Sequence, residues 1–361
     1  MADKYIMDGC KLAWHPDRVS KWMRGERIVP IHIDVGMSKG CNIRCSYCFG
    51  VLQGNFYKRG AEKYFQREPL LNYIREAGEL GVRSMGFIGE GEPTLNPNLA
   101  DAIFAARNGG IDPSLGTNGV LFPQDYTGEG MLECLSWKRF NISAADDAGY
   151  RKIHGSKKWG DFLSAVKFCV ATKRRKNLPV TIGFQSVLTP GNAPQMVHLA
   201  KLGKQLGVDY HVIKQCSDTI ESDLGIYNRF SEYQSMGEIL HYAQAETEGN
   251  YNVIVKWKMI GNEGARDYHQ CLGAPFLLYS SGDGRLYPCG AFFDGDHEEE
   301  YRMGDFYKMG FKEIWESDRY WEVVEKVKHI DVEKCYANCR SHYINDYLWK
   351  IANPPEHVNF V

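Results

Sequence analysis

Gly40-Cys41-Asn42-Ile43-Arg44-Cys45-Ser46-Tyr47-Cys48-Phe49-Gly50 sets three cysteines within eight residues. The stretch follows an apolar run, Ile28 to Val35, that reads as a strand. Three thiolates on so short a loop can curl round a cubane iron-sulfur cluster and hold three of its irons. The fourth iron then stays open to a substrate or cofactor. Zinc fits less well, because structural zinc takes four ligands and usually draws them from two pairs. A loop directly after a strand also lies on the face where α/β barrels carry their chemistry.

Working outward, Tyr64 to Leu80 has helical periodicity through Leu70, Leu71, Ile74 and Leu80. Val82 to Ile88 reads as a second strand and Asn98 to Arg107 as a second helix. Further strands are expected near Pro113 to Gly116, Arg139 to Ser143, Val180 to Val187 and Tyr210 to Lys214. Helices are expected near Phe162 to Thr172 and Pro194 to Leu206, with proline at a favoured first position of the latter. Such alternation predicts parallel strands with crossover helices. Roughly six units fit before residue 220, fewer than the roughly eight of a closed TIM barrel. The expected fold is therefore α/β: a partial (β/α)6 TIM-like barrel over residues 28–254, then a small α+β domain over 255–361. Residues 1–27 form an N-terminal extension with a short amphipathic helix, Pro16 to Arg24.

Aromatic residues at 13% and charged residues at 24% describe a chain that builds a core. The formal charge of -2 gives no reason to expect nucleic acid or an anionic membrane as partner. The basic run Lys173-Arg174-Arg175-Lys176 reads as a solvated helix end. No apolar stretch approaches the ~20 residues of a membrane span, and Met1 to Tyr5 lacks the pattern of a signal peptide. A cytoplasmic protein is expected. There, eleven cysteines read first as metal ligands rather than disulfides.

A second cysteine group follows: Cys271, Cys289, Cys335 and Cys339. Between the first two, Tyr279 to Pro288 reads as a strand, a turn at Gly282-Asp283-Gly284 and a returning strand, which would bring Cys271 and Cys289 together. Four thiolates suit one fully ligated [4Fe-4S] cluster, with a four-cysteine zinc site as the rival.

The spacing C-x3-C-x2-C, with Tyr47 before the last cysteine, resembles the signature of the radical S-adenosylmethionine (SAM) superfamily. Gly89-Glu90-Gly91-Glu92-Pro93, after the second strand, resembles that superfamily's G-G-E-P motif and departs from it at Glu90. The resemblance implies SAM and a site-differentiated [4Fe-4S] cluster on Cys41, Cys45 and Cys48. It places Tyr47, Gly89, Glu90, Gly91 and Glu92 beside the cofactor, where backbone carbonyls would accept from the SAM ammonium. It also implies contacts from Asn118 and Ser143, from Arg151 to the methionine carboxylate, from Gln185 to the ribose and from Ile213 to the adenine. Ordinary barrel packing or surface hydrogen bonding accounts for each of these five equally well. The region beyond residue 255 is similar to SPASM and twitch domains through Gly284-Arg285-Leu286-Tyr287-Pro288-Cys289. A full SPASM domain carries more cysteines than these four, so the twitch form with one auxiliary [4Fe-4S] cluster fits better. Asn345 to Phe360 resembles radical SAM proteins of sugar and antibiotic pathways.

The resemblance implies an oxidoreductase or epimerase that removes a hydrogen atom from a carbinol carbon of a polar small molecule, a sugar or aminocyclitol, in biosynthesis. Only 27 residues precede the first strand, which favours a small substrate. A flavodoxin- or ferredoxin-type protein would donate the electron. Cys216, after Val212-Ile213-Lys214-Gln215, is the candidate hydrogen-atom donor, against the plainer reading of a small buried residue. Cys10, Cys134 and Cys169 read as structural. His154, His269, Arg340 and His357 are candidate proton acceptors or substrate anchors, with exposed surface roles expected for each. Two alternatives stand beside this reading: a SPASM-type maturase of a ribosomally made peptide, and a non-catalytic Fe-S or zinc scaffold.

Overall fold

The computed structural model describes residues 3–48, 63–216, 230–261, 265–293 and 297–360. Phe49 and Gly50 of the first cysteine stretch lie outside them. The sheet is built from β1 (His32–Val35), β2 (Ser84–Phe87), β3 (Asp112–Thr117), β4 (Trp137–Asn141), β5 (Thr181–Leu188), β6 (Tyr210–Gln215), β7 (Asn252–Val255), β8 (Leu277–Ser280), β9 (Arg285–Tyr287) and β10 (Gly304–Asp305). Its order is β10-β9-β8-β1-β2-β3-β4-β5-β6-β7. From β8 to β7 every pairing is parallel, whereas β9 and β10 are antiparallel additions. No pairing closes β7 onto β10 among the described residues, so the barrel is partial, as expected. It extends past six strands in two ways. β7 is a further parallel strand, and β8, the first arm of the expected hairpin, pairs with β1 from His32↔Leu277 to Val35↔Ser280. The cysteine-rich C-terminal region is thus stitched directly to the first strand.

The helices that matter for the site are α1 (Pro16–Met23), α2 (Arg67–Leu80), α3 (Leu99–Asn108), α4 (Tyr126–Cys134), α5 (Asp147–His154), α6 (Trp159–Lys176), α7 (Gln195–Leu206), α8 (Gly237–Gln244) and α9 (His342–Ala352). Strand alternation divides the sheet residues between two faces. Ile33, Val35, Met85, Phe87, Leu115, Phe140, Ile182, Phe184, Ile213, Val253 and Val255 face the helices and join one core with Leu70, Ile74, Ile103, Phe162, Val166 and Leu199. Each large apolar side chain buried there contributes about 1.5–3 kcal/mol. α2 ends at Gly81 in the left-handed conformation, φ 93°.

The opposite, inward face is different. It carries Asp34, Arg139, Asn141, Gln185 and Lys214. Tyr210, Val212 and Ile254 form an apolar cluster on that side with Tyr5, Met7 and Trp137. α1 and α9 close a separate core through Leu12, Val19, Ile28, Leu272, Phe276 and Leu348. No helix among the described residues is long and apolar enough to cross a membrane.

Candidate active site

The first cysteine loop follows β1 and is pinned to the C-terminus of α5. Arg44 N–H donates to the His154 carbonyl at 2.9 Å, and Ser46 N–H to the Ile153 carbonyl at 2.8 Å. α5 starts at Asp146, whose side chain accepts from Gly149 N–H, and stops at Gly155, φ 58°. A Cβ on Gly155 would stand 2.7 Å from the Arg44 carbonyl oxygen, so glycine is needed both for the turn and for the crossing. The second motif grips the same loop: Glu92 N–H donates to the Gly40 carbonyl at 2.8 Å, and Ser38 Oγ donates to the Glu92 carbonyl. A Cβ on Gly91 would lie 2.3 Å from the Ser38 carbonyl oxygen.

Cys41, Cys45 and Cys48 are half-buried and close enough to act on one another. Burial pushes the Cys45 thiol well above its usual pKa, and the Cys48 and Cys41 thiolates push it further. Burial also moves Cys41 up, to about 11, with Glu92 adding to it. Asn118 Nδ2 lies 3.8 Å from Cys41 Sγ and donates to Asn42 Oδ1 at 2.6 Å. Ser143 N–H donates to His154 Nε2 at 3.0 Å, and His154 Nδ1 lies 3.1 Å from Cys45 Sγ. Tyr47 stands edge-on to the His154 ring, 5.8 Å away, and shares a hydrogen bond with Ser143. Cys216, buried at the end of β6, points its sulfur at the Tyr47 carbonyl, 3.7 Å away.

The second group converges as well. Burial raises all four thiols, Cys271 to about 11 and Cys335 to about 12; Cys289 and Cys335 are pushed further by the other thiolates of the group, and Cys271 by Cys339. Asn345 orders the turn after Cys271, accepting from Leu272 and Gly273 N–H at 2.8 and 2.7 Å while its amide points at Cys271 Sγ. The thiol chemistry of each donor set suits a cationic iron-sulfur core, which would supply the positive charge that mutually repelling buried thiolates need; among the described residues no three ligating side chains stand close enough to hold a single metal ion.

The remaining expected contacts divide. Gln185 lies inward, donating to Asn141 Oδ1. The Glu92 carboxylate is spent on Thr94, Thr117 and Asn118, tying the ends of β2 and β3 together. Glu90 turns to Lys39, which also meets Asp283 at 3.1 Å, and Gly282 N–H donates to Glu90. The departure from G-G-E-P thus anchors the C-terminal hairpin. Arg151 is exposed and paired with Asp147 four residues back, so it is not brought to the cysteines. Ile213 is fully buried in the helix-facing core, away from the inward face. The expectation of an exposed role is overturned for His154, which is completely buried. Arg340 is exposed, as expected, while its guanidinium reaches in to the buried Asp34 of β1 at 2.6 Å. His269 and His357 are exposed, as expected. No local pattern marked the Cys45–His154 or Asp34–Arg340 contacts, because those partners lie more than a hundred residues apart.

Residues 35–200 match the model of the radical SAM superfamily, and residues 277–340 that of SPASM, an iron-sulfur cluster-binding domain. The chain is 25% identical over 130 residues to the S-adenosylmethionine-dependent nucleotide dehydratase of Flammeovirga pacifica, covering 36% of this chain and 44% of that protein. It is 28% identical over 180 residues to the PqqA peptide cyclase of Streptomyces rochei, covering 50% and 46%. The matched regions thus span less than half the length of either curated relative. The crystal structure of Streptococcus suis SuiB bound to precursor peptide SuiA superposes with a TM-score of 0.66 at 14% identity, covering 97% of this chain and 84% of that one. That likeness is one of fold.

Proposed function

The chain belongs to the radical SAM superfamily and ends in a SPASM-type iron-sulfur domain, and we propose that it removes a hydrogen atom from a carbinol carbon of a polar small molecule, a sugar or aminocyclitol. Dehydrogenation or epimerisation follows, with the electron supplied by a flavodoxin- or ferredoxin-type donor. The observation carrying this reading is the inward sheet face beside the cysteine loop, where Arg139, Asn141, Gln185 and Lys214 stand instead of a continuous apolar surface.

SAM and [4Fe-4S] clusters are the family's cofactors; bound and reduced, they supply a carbon-centred radical able to take hydrogen from an unactivated carbon. Cys41, Cys45 and Cys48 would hold the site-differentiated cluster, and Cys271, Cys289, Cys335 and Cys339 the auxiliary one. The barrel, residues 28–254, does the positioning, and residues 255–361 carry the auxiliary centre. Asn118 and Ser143 stay in the proposed site, where they orient Cys41 and, through His154, Cys45. The strand-end backbone at Gly89 to Glu92 offers carbonyls to the SAM ammonium. Arg151 and Ile213 are left out of it. Asn141 and Gln185 hydrogen-bond the substrate, and holding it near the loop lowers the entropy cost of reaction.

A deuterium-transfer assay tests this reading. Candidate sugars deuterated at single carbinol positions are expected to label 5′-deoxyadenosine when the reduced, SAM-loaded protein turns over. No SAM cleavage at all would sink the proposal. Peptide maturation is a second reading, favoured by what the similar proteins are: a PqqA peptide cyclase and SuiB with its precursor peptide. Label arriving only from a peptide would select it. Cys216→Ala then separates outcomes, since an epimerase loses its product and a dehydrogenase keeps it.

A further inference from the structure

Among the described residues, the inward face of the sheet holds more positive charge than it neutralises. Arg139 leans across β3, where a Cβ on Gly116 would stand 3.4 Å from its Nη2. Asp34 leans over Gly86 in the same way, 2.7 Å from the place of a Cβ. Gly86 thus leaves room for the Asp34 carboxylate that alanine would crowd, while a Cβ at Gly116 would meet Ile88 first, at 2.7 Å. Lys214 joins them from β6, since strand alternation sends its neighbour Ile213 into the helix-facing core.

Among the described residues, neither Arg139 nor Lys214 has a carboxylate of its own. The buried Nε of Arg139 has no hydrogen-bond partner among the described residues. The carboxylate that acts on Arg139 is Asp34, already committed to Arg340 at 2.6 Å and to His32 at 2.9 Å. Burial lowers the Lys214 pKa to about 7, and the largest charge effects on it come from three more cations, Arg139, Lys256 and Arg340. Lys256 is engaged by the Met7 carbonyl and the field of Asp8. Among the described residues one guanidinium and one readily protonated amine are left over, both half-buried. Cations held partly out of water are stabilised by an anion, whose arrival would also draw the proton onto Lys214.

We propose that Arg139 and Lys214 bind a phosphoryl dianion carried by the substrate, which makes the polar small molecule a phosphate or pyrophosphate ester. A carboxylate would neutralise one of the two charges, whereas a phosphoryl group near neutral pH carries about -1.5 to -2. The guanidinium offers a planar fork to two oxygens and the ammonium a point charge to a third. Lys214 also stands between the two cysteine groups. Cys216, two residues past Lys214, touches the Tyr47 carbonyl, and Asn338, beside Cys339, donates to the Gln215 carbonyl at 3.1 Å. This inference rests on the proposed function and names its substrate class.

Calorimetric titration of pyrophosphate into the reconstituted, SAM-saturated protein tests it. Binding is expected in the wild type, weakened at least tenfold in Lys214→Met and in Arg139→Gln, and retained in Lys214→Arg. Lys201→Ala, an exposed lysine paired with Glu246, is expected to bind as the wild type does. Methionine preserves the volume of lysine, and cluster absorbance reports that each variant has folded around its iron. A wild type that cleaves SAM yet takes no pyrophosphate would overturn the anion site and leave the radical reading intact. A reduced wild type that does not cleave SAM would instead sink the proposed function. If SAM displaces pyrophosphate, or Lys214→Met loses affinity for SAM alone, the cations serve the methionine carboxylate and the inference fails.

Discussion

His154 donates its Nδ1 hydrogen to the sulfur of Cys45, 3.1 Å away. The direction follows from the other side of the ring. Nε2 accepts the Ser143 N–H at 3.0 Å, so the hydrogen of the neutral imidazole sits on Nδ1. Burial keeps the ring neutral, lowering its pKa to about 3. A hydrogen bond to a ligating thiolate favours the more negative, reduced state of a cluster. Replacing His154 with Phe is expected to lower the midpoint potential by about 60 mV, equivalent to about 1.4 kcal/mol for one electron. His154→Asn, with an amide nitrogen near the place of Nδ1, should keep most of it. Redox titration followed by electron paramagnetic resonance measures both, and an unchanged midpoint in the Phe variant refutes the role.

Two converging cysteine groups set the metal content. Anaerobic reconstitution with iron and sulfide should give about eight irons per chain, four for each cubane. Cys289→Ala combined with Cys339→Ala should halve that count and leave SAM cleavage measurable. A wild type with about four irons, or with two zincs, rejects the auxiliary cluster.

Lys39 and Glu90 carry side chains only 9% and 1% exposed, and Lys39 also meets Asp283. Lys39 is the shared cation of two largely buried carboxylates, and removing it leaves both without their main partner, a loss of the kind that costs about 3–5 kcal/mol. Lys39→Met should therefore lower the denaturation midpoint markedly. Glu90→Ala should lower it less, because Lys39 keeps Asp283 at 3.1 Å. A single variant as stable as the wild type would show that the pair does not hold the hairpin.

Burial pushes the Asp34 carboxyl up, but Arg340 and then His32 outweigh it and hold it below the usual carboxylate range. A folded pKa below the unfolded value gives stability that is present above about pH 4 and lost as pH falls through the folded value. Thermal melts between about pH 5 and pH 3 should show that decline. In Arg340→Met the carboxyl loses its main partner, so the decline should begin at higher pH. Identical profiles would argue that Asp34 is not ionised in the native state.

Much of the barrel was legible because its signals are local. The strand starting at Ile28 shortened to begin at His32, yet its place before the cysteines held, as did the hairpin turn at Gly282 to Gly284. α4 and α5 escaped notice. α4 carries Gly128 and Gly130, poor helix formers that tertiary packing overrides, and α5 is only two turns long. Missing α5 meant missing that His154 is buried beside Cys45, since its position depends on where that helix ends.

Read alone, the chain determined the cysteine spacing, the strand-helix alternation and the family resemblance, since each is written within a few residues of itself. Tertiary structure alone decided that Glu90 serves the hairpin, that Arg151 faces solvent, that Asp34 meets a partner 306 residues away, and that Arg139 and Lys214 share the inward face of the sheet. The reason is physical. A thiolate's competence to ligate is a property of the residue and its neighbours in the chain, but a charge is matched or left over according to what the folded backbone carries to within a few ångströms of it.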